Sequence, residues 1–481
     1  MTPDDYVAMD ATSLAAAVRS GERTSVEVVE AAIERIGALN GWLNAVTETA
    51  FGPALELASR VESQRPLAGV PFLAKDMNID VAGLRLTASC RWLGDLPPAT
   101  VDAPLAERWR RAGLMILGRT NLPEWAADFI TEPTWRGSTA NPWDGARSPG
   151  GSSGGAAAAV ASGMVPVAHA TDSGGSIRVP AAACGLVGLK PSRGIVPVGP
   201  HHDELAGGFD CEHVLSRTVR DSALMLDLTA GAESTSRQPF AWHGRRSVDG
   251  LHETLRPLRI GVAMRSSGGI APDEEIGAAV ENVGRVLAGA GHAVRAFEFP
   301  RETDIADSAA VIWMTAIAEE IDHYESRVGR KPHAAELELV TRECMLAGGR
   351  WSAVDYVRAR RACTQATRAL AHAARDLDAL LLPTTATLPP LTGAIDGRTG
   401  AMSFEAWAEA SYRYAPYTEL FNATGQPAIS LPLGQSRSGL PIGVQFAARL
   451  GEDAMLLSLA AWLEREMPWD DRGLALRRRL A

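Results

Sequence analysis

Two glycine-serine clusters lie close together in this sequence, Gly150-Gly151-Ser152-Ser153-Gly154-Gly155 and Asp172-Ser173-Gly174-Gly175-Ser176. Glycine at this density permits backbone conformations closed to other residues and leaves N–H groups uncovered. A cluster of that kind before a helix can hold an anion or a developing oxyanion, and serine hydroxyls placed among such amides suit nucleophilic catalysis. Plain flexible loops would explain one cluster more easily than two. A phosphate loop requires lysine after its glycines, in the order G-x-x-x-x-G-K-[ST], and neither cluster has one; no G-x-G-x-x-G follows a strand either. Residues 150–154 satisfy G-x-S-x-G as a string, but residues 141–149 (NPWDGARSP) are turn formers where a nucleophile elbow requires a strand. An α/β-hydrolase also needs a late histidine, and the last one here is His372. His169 and His213 sit in apolar or mixed settings that favour core roles. A Ser-His-Asp triad thus has its motif without its context.

If histidine is not the base, a neutral lysine is the natural substitute. Lysine and arginine together number 47, yet only Lys75, Lys190 and Lys331 are lysines. Arginine effectively cannot lose its proton whereas a desolvated lysine can, so lysine is kept where arginine will not serve. Lys75 ends the apolar run Ala68-Gly69-Val70-Pro71-Phe72-Leu73-Ala74, where burial would lower its pKa; the competing reading is an ion pair with Asp76. Lys331 lies in a polar, helix-like stretch and reads as incidental.

The elements that must position these groups are short and alternate in kind. Two helices are expected over the first forty residues, with a capping box at Thr24 and Glu27 and an apolar face of Val26, Val29, Ile33 and Ile36. A strand is expected within 67–79, a helix over 105–111, a strand over 114–117 before Gly118, a helix over 156–162 and a strand over 164–168. Further strands are read at 258–262 and 380–382, around a helix over 275–290. That alternation is α/β, a sheet covered by helices. The polar stretches 232–257 and 383–401 read as surface excursions or lid segments of one domain.

Composition bounds the partners. A formal net charge of −10 argues against nucleic acid, which requires a basic face. Hydrophobic residues at 46% and charged residues at 22% fit a soluble globular protein. The uncharged stretch 148–168 is Gly, Ser and Ala and would not partition into lipid. Asp4, Asp5 and Asp10 stand where a signal peptide carries basic and then apolar residues. Cys90, Cys184, Cys211, Cys344 and Cys363 form no short-spaced pair, so neither disulfides nor a zinc site is expected, and a cytoplasmic location fits best.

Taken as strings, these segments resemble the amidase signature family over most of the chain. The resemblance is carried by GVPFLAKD (69–76), GRTNLPEWA (118–126), GSTANPWDGARSPGGSSGG (137–155), TDSGGSIRVPAAACGLVGLKPSRG (171–194), FNATGQPAISLPLG (421–434) and GLPIGVQF (439–446). The 24-residue interval from Ser152 to Ser176 is that family's spacing. The resemblance implies a single large domain, 1–481, with a mixed central β-sheet covered by helices on both faces: N-terminal helices over 1–65, the signature core over 66–230, a variable substrate-side region over 231–410 and a C-terminal return to the core over 411–481.

It further implies that Ser176 is the nucleophile, that Ser152 sits on a cis peptide and relays the proton, and that Lys75 is the base. The N–H groups of Ser173, Gly174, Gly175 and Ser176 would form the oxyanion hole, with Ser153, Thr171, Asp172 and Arg178 as its supporting network. Lys190 reads as structural. At Ser173, where many relatives carry Thr or Ile, only the backbone is expected to matter for the oxyanion. No metal or organic cofactor is required. The implied activity is hydrolysis of a C–N bond in a small linear, aryl or cyclic amide, with carbamates and esters presenting a similar carbonyl. Stand-alone bacterial amidases, including those like 6-aminohexanoate cyclic dimer hydrolase, resemble the segment after Gly194 more than an amidotransferase A subunit does. Substrate choice is expected at the loop 201–209, at 312–321 with Trp313 and Met314, and at Trp407, Tyr412, Tyr414 and Tyr417. The partner is then a small molecule, with no nucleic acid or membrane, and the protein a monomer or homodimer. A scaffold or carrier that had lost the chemistry would leave the intact Lys75, Ser152 and Ser176 without purpose.

Overall fold

Thr24 opens the longest N-terminal helix as the sequence leads one to expect. In the computed structural model, which describes residues 1–200, 202, 204–233 and 246–480, its side chain accepts from the Glu27 N–H while Glu27 reaches back to the Thr24 N–H. That helix, Ser25–Leu43, buries Val28, Val29, Ala32, Ile36 and Leu39, whereas Val26 and Ile33 are only partly covered. Three helices precede residue 44, not two, because Asp10 caps a separate helix at Ala11–Ser20 after Pro3–Ala8. The side chain of Asp10 accepts from the Ser13 N–H, a local competitor that ends one helix and starts the next.

The strands are β1 Val46–Thr49, β2 Pro71–Lys75, β3 Met115–Thr120, β4 Val167–Thr171, β5 Val187–Lys190, β6 Glu212–Ser216, β7 Arg259–Val262, β8 Ala293–Ala296, β9 Ala379–Pro383, β10 Ala428–Gln435 and β11 Pro441–Ala448. They form one 11-stranded sheet in the order β1-β3-β2-β4-β6-β5-β10-β11-β9-β7-β8. It is mixed: β2 lies parallel to β3 and β4, while β6 runs antiparallel to β4. Strand β3 does not stop before Gly118. There φ is 155°, and a Cβ would overlap the Glu48 carbonyl of β1, so glycine is what lets the edge strand approach.

Helices cover both faces. Successive strand residues point to opposite sides. On β11, Gly443 packs against Ala182 of the helix Arg178–Cys184, and its neighbour Ile442 shares a face with Gly434, which meets Ala279 of the helix Glu274–Gly289. The chain is a single α/β domain with this mixed sheet at its centre.

Several boundaries differ from expectation. The helix between the two glycine-serine clusters is Gly154–Ala161, and β4 begins at Val167, so the strand read at 164–168 is displaced toward Thr171. Its register is set by pairing with β2 and β6, which local composition does not encode. Residues 383–390 are mostly covered: the Thr384 hydroxyl meets Ser430 at 2.8 Å and the Ala386 N–H donates to the Tyr414 carbonyl. Only the latter part of that stretch is surface. Within 232–257, residues 234–245 lie outside the described residues. No helix among the described residues is long and apolar enough to cross a membrane.

Candidate active site

Lys75 and Thr171 end neighbouring parallel strands, the carboxyl-terminal position at which open α/β sheets gather ligand-facing groups. The chain leaves β2 through Asp76 and β4 through Asp172, and the glycine-serine cluster 150–155 runs into the helix Gly154–Ala161 beside them. Lys75 Nζ lies 2.8 Å from Ser152 Oγ and 2.8 Å from Thr171 Oγ1, all three residues being buried. Burial pushes the Lys75 ammonium down to about 8, against the pull of Asp210, Glu212 and Asp172. The ion pair with Asp76, the competing reading of Lys75, is absent among the described contacts. Asp76 instead accepts from the Thr87 N–H at 2.7 Å and from the Thr87 hydroxyl.

The Gly151–Ser152 peptide bond is cis, the backbone geometry read for Ser152 from the motif. A Cβ at Gly151 would come within 2.5 Å of the Ile130 carbonyl oxygen, so this turn has no room for a side chain. Ser153 ties the two clusters together: its N–H donates to the Ser176 carbonyl at 3.3 Å, and its hydroxyl is 3.3 Å from both the N–H and the carbonyl of Thr171. Ser152 and Ser176 share no side-chain hydrogen bond among the described contacts. Such bonds are often long before substrate arrives.

Asp172 shapes the second cluster. Its carboxylate accepts from Arg178 Nε at 2.9 Å and Nη2 at 2.7 Å, from the N–H groups of Ile177 and Arg178, and from Asn422 Nδ2 at 2.8 Å. Burial alone would raise this carboxyl, but the Arg178 guanidinium beside it holds it below the usual range. The loop 173–176 is thereby curled around a fixed anion. Among the described hydrogen bonds, none has the N–H of Ser173, Gly174, Gly175 or Ser176 as donor, which leaves four amides free for an oxyanion. Arg178→Met leaves Asp172 buried without its counter-ion. It is expected to cost about 3–5 kcal/mol in urea unfolding, and a loss under 1 kcal/mol would refute the positioning role.

A cavity of about 470 Å³ opens onto this floor at Thr171 and Ser173. Trp125, Trp313, Trp351 and Tyr356 supply aromatic wall, and Glu319 and Glu320 carboxyl groups. Of the expected specificity regions, 312–321 and the loop after Pro200 do line it, with His202 placed 3.0 Å from Glu320; His201 lies outside the described residues. Met314 is not among its lining residues. The patch of Trp407, Tyr412, Tyr414 and Tyr417 does not line this cavity: Trp407 donates to Asp128 at 2.8 Å and Tyr417 to two backbone carbonyls, so Trp407, Tyr414 and Tyr417 pack the interior while Tyr412 is partly exposed.

Asn78, Trp125, Asp210, Trp351 and Tyr356 line the cavity without having been read from the sequence. No local pattern marks them, and only Trp125, inside the quoted GRTNLPEWA string, could have been found. The side chain of Ser173 lines the cavity beside Asp210. Lys190 is buried and donates to the Pro191 carbonyl at 2.7 Å, a packing role, while Lys331 is exposed beyond the helix Ala306–Val328 at 3.8 Å from Glu325.

Comparison with known proteins places this geometry. The sequence profile of the Amidase family matches residues 27–457. The 6-aminohexanoate-cyclic-dimer hydrolase of Paenarthrobacter ureafaciens is 36% identical over 479 residues, covering 96% of this chain and 95% of that one. A solved 6-aminohexanoate cyclic dimer hydrolase, complexed with substrate, superposes with a TM-score of 0.93 at 34% identity, over 98% of this chain and 99% of the other. A bacterial aryl acylamidase of the amidase signature family superposes with a TM-score of 0.89 at 26% identity, over 98% of each chain.

Proposed function

The chain belongs to the Amidase family and is a hydrolase of amides, and from that premise we propose that it cleaves the C–N bond of a small amide through a Ser176–Ser152–Lys75 relay. One observation carries the reading: a fully buried lysine amine lies 2.8 Å from both Ser152 Oγ and Thr171 Oγ1. A neutral amine has one lone pair and two N–H groups. It donates to Thr171 and accepts the Ser152 proton, so Ser152 in turn draws the proton of Ser176 as Ser176 Oγ attacks the carbonyl carbon. The amides of 173–176 receive the oxyanion, and one well-placed donor contributes roughly 3–4 kcal/mol. The proton returns through Ser152 to the leaving nitrogen, the C–N bond breaks, and water resolves the acyl-enzyme by the reverse path.

Two relatives are named for a cyclic amide dimer and for aryl acylamides, and the aromatic wall of the cavity suits a flat or cyclic substrate. Aryl and cyclic amides are therefore the first substrate class, with aryl carbamates next because they offer a similar carbonyl on the same leaving amine. We place the enzyme in the cytoplasm, as a monomer or homodimer acting on a small molecule.

An aryl phosphonate tests the nucleophile directly. Stoichiometric labelling of the peptide containing Ser176, located by mass spectrometry, is expected. Labelling elsewhere, or none alongside measurable hydrolysis of acetanilide or an aryl carbamate, would sink the assignment.

A further inference from the structure

The relay leaves two buried carboxyl groups unused, and they stand beside its base. Glu212 opens β6 directly opposite Thr171 of β4, and Asp210 lies two residues earlier, lining the cavity. Asn78, in the loop that follows Lys75, joins them: its Nδ2 donates to Asp210 Oδ2 at 2.6 Å and to Glu212 Oε1 at 2.8 Å. Two carboxyls held this close by one amide nitrogen, away from water, cannot both ionise without a large cost. We propose that the Asp210–Glu212 pair carries one proton between its two carboxyls, and that the single charge left on the pair sets the basicity of Lys75.

The hydrogen bonds fit a single charge on either partner. His169 Nδ1 accepts the backbone N–H of Lys75 at 3.2 Å, so a neutral imidazole carries its proton on Nε2. His169 is neutral because burial, reinforced by Lys75 and Arg119, holds its pKa well below the usual value. Its Nε2–H therefore points at Glu212 Oε2, 2.6 Å away. Glu212 thus accepts a donor on each oxygen, as a carboxylate does. Asp210 likewise accepts a donor on each oxygen, Asn78 on Oδ2 and the Cys211 N–H at 2.9 Å on Oδ1, and it also meets the Ser173 hydroxyl. Burial raises both groups, Asp210 being pushed further by Glu212.

The other charged groups facing this cluster are already committed. Asp172 is locked to Arg178, Arg119 donates to the Lys75 and Ile79 carbonyls, Lys190 lies behind Cys211, and His202 is held by Glu320. Glu212 and Asp210 are therefore the local groups whose charge can trap or release the Lys75 ammonium. With two charges beside it, lysine would stay protonated and the base would be disabled. With one, it titrates within reach of neutral pH.

This inference rests on Lys75 being the base, and the pH dependence of phosphonate labelling at Ser176 tests it without knowledge of the physiological substrate. Removing a carboxylate charge destabilises the ammonium, lowers the lysine pKa and moves the acid limb to lower pH. Asp210→Asn leaves the charge on Glu212, and Glu212→Gln leaves it on Asp210. Each single exchange is thus expected to move the limb by less than about half a pH unit, and Asp210→Asn/Glu212→Gln by about one unit or more downward. A shift of a full unit in either single variant means two charges, and an unmoved double variant means none; both overturn the proposal. If the double variant does not fold, the single variants still decide against two charges. If Lys75→Met labels as fast as wild type, the base assignment falls and takes this inference with it. If Lys75→Met loses the limb while the double variant keeps it in place, only the charge assignment fails.

Discussion

Ser176→Ala is expected to lower turnover of every hydrolysed substrate by about 10⁴-fold or more while the protein stays folded. The alanine removes the attacking oxygen and leaves the amides of 173–176 free, so the residue of activity measures what oxyanion stabilisation and binding achieve alone. The fold has little reason to object. Ser176 is buried at 6% exposure, and among the described hydrogen bonds its hydroxyl makes none, so no partner is orphaned. Steady-state kinetics on acetanilide or an aryl carbamate, with a thermal melt as control, check both halves. Activity within tenfold of wild type would end the assignment of Ser176 as nucleophile.

The second large effect is at Lys75. Hydrolysis by the wild type is expected to rise with pH through about 8, because the base must be neutral and its ammonium form persists below that value. Lys75→Met removes the proton acceptor and is expected to lower kcat by about 10³–10⁴-fold, with the acid limb abolished. Lys75→Arg keeps a cation but not a titratable one, and is expected to be no better. Stability is predicted to change by less than about 2 kcal/mol in Lys75→Met, because relief of a desolvated charge offsets two lost hydrogen bonds. A pH profile that keeps its limb in Lys75→Met would assign that limb to another group.

Lys75, Ser152 and the amides of 173–176 were legible because each is marked by residue type and local order: a rare lysine at the end of an apolar run, and serines set among glycines. The capping box at Thr24 and Glu27 was legible for the same reason, since all its atoms lie within one turn. Trp407 and Tyr417 were misplaced because aromatic composition does not distinguish a pocket wall from interior packing; Trp407 turned out to serve Asp128, from a distant part of the chain. The contact between Ser173 and Asp210 was not legible, because Asp210 is reached only when β6 returns antiparallel to β4.

The sequence by itself determined the α/β class and the family, and it pointed to the groups proposed for acyl transfer, because these depend on residue chemistry and short spacing. Only the tertiary structure decided which carboxyl groups surround Lys75, which side chains wall the cavity and which histidine orients toward Glu212. Those facts follow from strand order and register in the sheet, and long-range pairing leaves no periodic trace in the chain that it folds.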